Sequence, residues 1–140
     1  MTDWARARHR LRVLEAIVLL LVARVLRKGV AMRRWSGLLG ATGPVRVGFD
    51  VGPLAGTEAD VGRAVASAAR RTSANCLEQA VAASLMLRAR RTPSVVVIGL
   101  DAQRPTDVPH AWLVGRSGTV VVGGDVVDRF RPVNQFGHLR

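Results

Sequence analysis

Three residues of this chain have the types and setting for nucleophilic chemistry. Cys76, the only cysteine, follows Asn75 in "NCLEQAVAASLMLRARR", where Ser73 or Asn75 can cap a helix and leave the thiol in its first turn. Unpaired N–H groups and the positive end of the dipole favour an anion there, which lowers a thiol pKa. His110 comes directly after Pro109 and starts "HAWLVGR", which alternates as a strand, while Asp125 ends the β-branched run "GTVVVGGD". A cysteine at a helix N-terminus, a histidine on a strand and a carboxylate after the next strand are the ingredients of a thiolate–imidazolium nucleophile oriented by an acid. Each residue alone also has a plainer reading, as a small buried hydrophobe, a structural histidine and a turn-forming aspartate. Their order along the chain is what favours chemistry. Asp128 lies close after Asp125 and competes with it for the role of the acid. His9 falls in the first helix and His138 in the C-terminal tail, so neither rivals His110. One Cys and three scattered His offer no paired ligand spacing, and no metal or other cofactor is expected.

The elements that must position these groups are legible in outline. "PSVVVIGLD" from Pro93 is a short β-branched run between turn signals, "HAWLVGR" forms a second strand and "GTVVVGGD" a third, the last two joined by a tight turn at Arg116, Ser117 and Gly118. The class is therefore α+β, a helix packed on a small antiparallel sheet. On the Cys helix the inward set is Leu77, Ala80, Val81, Ser84, Leu85 and Met86 or Leu87, with Arg88, Arg90 and Arg91 at its negative end. Thr57 with Glu58 and Asp60 marks another helix start, running from about Glu58 to Arg70. Between residues 36 and 56 the chain is rich in Gly and Pro, which predicts a connector with one extended piece around Val45 to Val51. Its glycines are turn formers, because no P-loop context follows.

The chain has 140 residues, enough for one domain with a genuine core, and its single cysteine cannot form an internal disulfide. Its formal charge of +11 invites a nucleic-acid reading. The distribution argues against it: residues 1–46 hold ten Arg or Lys against Asp3 and Glu15, and residues 47–140 hold eleven against eight acids. No basic run is interleaved with aromatics as a stacking surface requires. The segment "LRVLEAIVLLLVARVLRKGVAMRRW" is interrupted by Glu15 and Arg24, too early for a membrane span, and Arg27, Lys28, Arg33 and Arg34 follow it where a signal peptide would place small residues. It reads as a helix stopping at Gly29, with Leu14, Ile17, Val18, Leu21, Val25 and Leu26 at helical spacing toward the core. A second reading gives this helix a basic, partly apolar face for a partner or a membrane surface. The chain divides into this basic N-terminal segment, 1–46, and a core over 57–140, within a single domain.

The quoted Cys segment, "VVVIGLD", "HAWLVGRSGTVVVGGD" and the closing "RFRPV" together resemble the transglutaminase-like leader peptidases of lasso-peptide biosynthesis, the stand-alone B2 type. The resemblance covers nearly the whole chain, including the N-terminal helix and "GLLG"; the Cys helix followed by "HAW" is its most specific part. It implies a transglutaminase-like or papain-like cysteine peptidase fold and a Cys-His-Asp triad: Cys76 as nucleophile, His110 as general base and later acid, Asp125 as the orienting carboxylate. It implies a cytoplasmic enzyme that cuts the leader from a lasso precursor peptide. It also implies two protein partners, a leader-recognition protein that presents the precursor and an ATP-using cyclase that closes the ring, with a peripheral membrane contact through the N-terminal helix as a further option. The chain departs from the resemblance at Gln79, where many relatives carry a basic residue, and at Val114 and Gly115, where many carry an acid soon after "HAW". A transglutaminase-like acyltransferase and a non-catalytic basic interaction module are the alternative readings.

Overall fold

Thr2 starts the chain's longest helix, its hydroxyl accepting from the Ala5 N–H at 3.1 Å, and α1 then runs Asp3–Gly29 in the computed structural model, which describes residues 2–137. His138 lies outside the described residues. A short α2, Met32–Trp35, and a 3-10 turn, Ser36–Leu39, lead to β1, Thr42–Gly43. Two helices follow, α3 at Gly56–Thr72 and α4 at Cys76–Ala89, and then β2 at Ser94–Asp101, β3 at His110–Gly115, β4 at Val120–Val122 and β5 at Phe130–Phe136. The five strands form one antiparallel sheet in the order β1-β5-β2-β3-β4. The α+β class holds, and the Cys helix begins where the capping signal predicts.

Strand alternation divides the core in two. Val96, Ala111, Leu113, Val121, Val122 and Phe136 meet α1, α3 and α4 on one face of the sheet. Val95, Val97, Trp112, Val114 and Val120 turn to the other, where Val45, Val47 and Phe49 cover them. Those covering residues belong to the predicted extended piece, which crosses the sheet as a strap. The Arg46 and Val47 N–H groups donate to Gln135 Oε1 at 2.8 and 3.2 Å, and the Asp50 backbone joins Gly118 and Val120 at 2.9 Å each. Glu58 turns inward from the first turn of α3, its carboxylate accepting from Ser117 Oγ at 3.4 Å and lying over Gly115, where a Cβ has no room.

The first helix corrects the expected face. Val13, Ala16, Leu20 and Ala23 are buried, whereas Leu14, Val18, Leu21 and Val25 are exposed; only Ile17 and Leu26 of the expected set pack partly against the core. Periodicity alone could not choose, because α1 is apolar on both faces. The small residues decide: Ala16 and Ala23 join Ala64 and Ala68 of α3 in one cluster, permitting a close helix approach that the bulkier face would prevent. Among the described residues no helix is long and apolar enough to cross a membrane.

A buried carboxylate ties α1 to the Cys helix. Glu78, 1% exposed, completes a capping box: its N–H donates to Asn75 Oδ1 at 2.8 Å and its Oε1 accepts from the Asn75 N–H at 3.1 Å. Arg27 Nε donates to Glu78 Oε2 at 2.9 Å, Arg24 adds a bond at 3.3 Å, and Arg24 also donates to the Thr72 carbonyl at 2.6 Å. Arg24 and Arg27 are therefore structural, not free docking charges. Burial works to raise the Glu78 pKa, but the Asn75 N–H and the two guanidinium groups bring it below the ordinary glutamate value. Glu78→Ala is expected to cost about 3 kcal/mol in urea unfolding, since it strands two partly buried cations and removes a cap. Because the folded pKa is depressed, the contribution of Glu78 is full above the unfolded glutamate value and is lost as pH falls through the folded one. Wild-type stability should fall over that acid range more steeply than that of the variant. Equal stability of the two proteins at neutral pH would refute this role.

Candidate active site

Asn75 stands in extended backbone as the N-cap of α4, which makes Cys76 the first helical residue. The Ala111 N–H donates to Cys76 Sγ at 3.4 Å, so the start of α4 is held against the start of β3. His110 precedes Ala111 on that strand, and its imidazole lines the same cleft as the Cys76 sulfur, near enough for each group to shift the pKa of the other. The other side of the ring is anchored: His110 Nε2 lies 2.8 Å from the Gly123 carbonyl. A carbonyl only accepts, so Nε2 carries the proton and Nδ1 is the nitrogen left for the sulfur. Phe130 stacks on the ring at 4.8 Å between centroids and Trp112 at 5.8 Å, fixing its plane. Trp112 is fully buried between His110 and Phe49, so it supports the histidine from the core and does not wall the cleft.

The surroundings favour charge separation in this pair. Burial acts to raise the Cys76 pKa, but the His110 bond, the Ala111 N–H, the His110 charge and the Leu77 N–H together bring it below the ordinary thiol value. The pKa of His110 is raised, first by its bond to Cys76; burial opposes, while the Gly123 carbonyl and the charges of Cys76 and Asp125 add to the rise. Both shifts widen the pH range in which thiolate and imidazolium coexist. His110→Ala leaves the burial and removes the largest favourable contributions, so the thiol pKa of that variant should climb. Iodoacetamide reactivity against pH would measure it: the wild type should react below the ordinary thiol range and the variant only above it. Superimposable profiles would show that His110 does not activate the sulfur.

Cys76 and His110 open into a cleft of about 930 Å³ between the strap, α3 and the β4 segment. Gly62 and Ala66 of α3 leave its wall low, and Asp50, Asp125 and Asp128 place three carboxylates around it. Asp125 is not on a strand. It lies in a 3-10 turn, Gly124–Arg129, that follows β4, and its side chain is exposed, so it reaches His110 through its charge while the hydrogen bond to the ring comes from Gly123. Asp128, also exposed, lines the same cleft. The structure thus brings Cys76 and His110 together in one cleft and leaves both candidate acids at the rim.

Gly123 is the residue that sequence reasoning passed over as part of a turn. Its φ of +84° is a conformation that side chains strain, and a Cβ there would lie 2.8 Å from the Ala111 carbonyl and 2.9 Å from Trp112 Cβ. The Gly-Gly pair after a strand was the available signal, but only the fold shows that a main-chain carbonyl points from it at an imidazole. Gln79, one turn after Cys76, also lines the cleft and is anchored by its amide donating to the Ala74 carbonyl at 3.0 Å.

No curated protein and no solved structure matches the chain. A family model described as Transglutaminase-like superfamily matches residues 17–135, which takes in Cys76, His110, Asp125 and all of β2 to β4. A thiol at a helix N-terminus beside an imidazole on the neighbouring strand, on an antiparallel sheet, suits that family's cysteine-dependent hydrolase and transferase activities, and the chain belongs to the transglutaminase-like superfamily.

Proposed function

We propose that this chain is a cysteine peptidase that removes the leader from a lasso-peptide precursor, with a recognition protein delivering the substrate and a separate ATP-dependent cyclase using the product. The observation that carries the chemical part is the Cys76–His110 pair, with a thiol pKa lowered and an imidazole pKa raised, opening into an extended cleft. The motifs "NCLEQAVAASLMLRARR" and "HAWLVGRSGTVVVGGD" support the substrate class by resemblance. The Cys76 thiolate attacks the scissile carbonyl and forms a C–S bond. His110 gives its proton to the leaving amine as the C–N bond breaks. Water then adds to the thioester while His110 takes its proton, the C–S bond breaks, and the leader departs as a carboxylic acid. The Cys76 N–H at the helix start and the second amide hydrogen of Gln79 are the donors suited to the developing oxyanion.

Delivery by a partner that holds the leader is expected to set the rate through effective concentration. Since Glu78 occupies Arg24 and Arg27, the exposed Lys28, Arg33 and Arg34 are the basic residues free to meet that partner. The test is reconstitution: precursor, recognition protein and this chain, followed by mass spectrometry. The expected products are free core peptide and a leader acid, formed at least tenfold faster with the recognition protein than without it. Lys28→Glu, Arg33→Glu and Arg34→Glu combined should remove that stimulation. A leader amide formed only with added amine would instead establish the acyltransferase, and no turnover with a reactive thiol would overturn the leader-peptidase reading.

A further inference from the structure

The outward face of α1 is too regular to be incidental. Trp4, Leu11, Leu14, Val18, Leu21 and Val25 are 47% to 69% exposed, and with the exposed Ala7 they follow a repeat of 3.5 residues through three heptads. Trp4, Leu11, Val18 and Val25 take one apolar position of the heptad, called a; Ala7, Leu14 and Leu21 take the other, d. The core-facing residues Val13, Ala16, Leu20 and Ala23 lie on the opposite side. One side of the helix serves this chain, and the other side meets no partner among the described residues.

We infer that this seam pairs with the same seam of a second copy in a parallel, two-stranded coiled coil. Three features select that occupant. The exposed apolar residues keep to a and d except for Val22, 43% exposed at an e position, a narrower stripe than the broad apolar face of a helix lying in a bilayer surface. Val18 and Val25 at the last two a positions, with Leu14 and Leu21 at the d positions around them, favour two parallel strands over higher orders. The flanking positions then agree in sign. In a parallel pair each g residue meets the partner's e residue five positions on, which sets Asp3 against Arg8, Arg10 against Glu15 and Ile17 against Val22 of the second copy. All three pairings are favourable. An antiparallel pair would instead set Glu15 against Glu15, which is repulsive. Glu15 already accepts from Arg90 at 2.6 and 3.1 Å but keeps lone pairs for a second guanidinium. Covering these side chains in both copies removes on the order of 1,000 Å² from water, where specific interfaces begin. The cleft is lined by other elements, so both copies keep an open active site. The inference does not depend on the catalytic reading.

Sedimentation velocity of the full chain should show a monomer of 15.1 kDa passing to a species of twice that mass as concentration rises through the micromolar range. Leu14→Lys with Val18→Glu should abolish the heavier species and leave the melting temperature unchanged at concentrations where the wild type is monomeric, because both residues are outside the core. Register has its own readout. With Cys76 replaced by Ala, Leu11→Cys should form a symmetric disulfide on mild oxidation, since a positions adjoin only in the parallel arrangement. A monomer at every concentration overturns the inference, as does a dimer indifferent to Leu14→Lys with Val18→Glu. Cross-linking of Leu11→Cys to Leu21→Cys but not to itself overturns the parallel orientation. A monomer that floats with vesicles of anionic lipid, and loses this in the Leu14 and Val18 variant, overturns it in favour of a membrane surface.

Discussion

Cys76→Ala is expected to lower precursor cleavage by at least about 10⁴-fold while leaving the melting transition within a few degrees of wild type. The chemical loss is total, because no other thiol exists in the chain to form the acyl intermediate. The structural loss is small: Cys76 is only partly buried, and removing one sulfur atom costs about 1 kcal/mol. Asn75 and Glu78 keep the capping box intact without it. The same chemistry fixes the pH dependence of the wild type. Activity should rise as Cys76 ionises, at a pH below the ordinary thiol value, and fall as His110 loses its proton, above the ordinary histidine value. The Cys76→Ala protein cleaving at a tenth of the wild-type rate would end the covalent mechanism.

What the sequence made legible was local. The cap at Asn75, the three strands from Ser94 to Val122 and the tight turn between the last two each announce themselves within a few residues. The helix from Gly56 to Thr72 begins within two residues of its predicted start. The approach of Cys76 to His110 is not local: the residues show only the ingredients, and their pairing enters through the resemblance.

The rest was hidden for physical reasons. β5 carries Pro132, which speaks against an interior strand; it is accommodated because Pro132 faces Gly99 where the register shifts. The burial of Glu78 depends on Arg24 and Arg27 arriving from a helix about fifty residues earlier, and nothing near Glu78 signals it. Glu58 fills the space over Gly115 from another helix, a pairing visible only once α3 lies beside the turn after β3. Both faces of α1 are apolar, and the inward one is distinguished by its small residues, Ala16 and Ala23.

Gly123→Ala should slow cleavage by about 10²- to 10³-fold, more than Asp125→Asn, for which about tenfold is expected. In triads where a carboxylate holds the imidazole directly, replacing it by an amide is far more damaging, about 10⁴-fold. Here the acceptor at His110 Nε2 is the Gly123 carbonyl at 2.8 Å, and Asp125 contributes its charge from an exposed position. A methyl group at residue 123 cannot be accommodated at φ +84° against the Ala111 carbonyl and Trp112, so the carbonyl must move and the ring loses its orientation. Lowered stability alone could also slow the enzyme, and a second readout separates the causes. Loss of the Gly123 acceptor should lower the His110 pKa and shift the basic limb of the pH–rate profile downward, whereas simple destabilisation reduces the folded fraction and leaves the limbs in place. Asp125→Asn should move the same limb in the same direction by less, because one distant charge is removed and the hydrogen bond remains. Asp128→Asn should move it least. If Asp125→Asn instead costs 10⁴-fold and Gly123→Ala retains most activity, the carboxylate is the group that orients His110 during turnover, and Asp125 swings inward from the rim to do it.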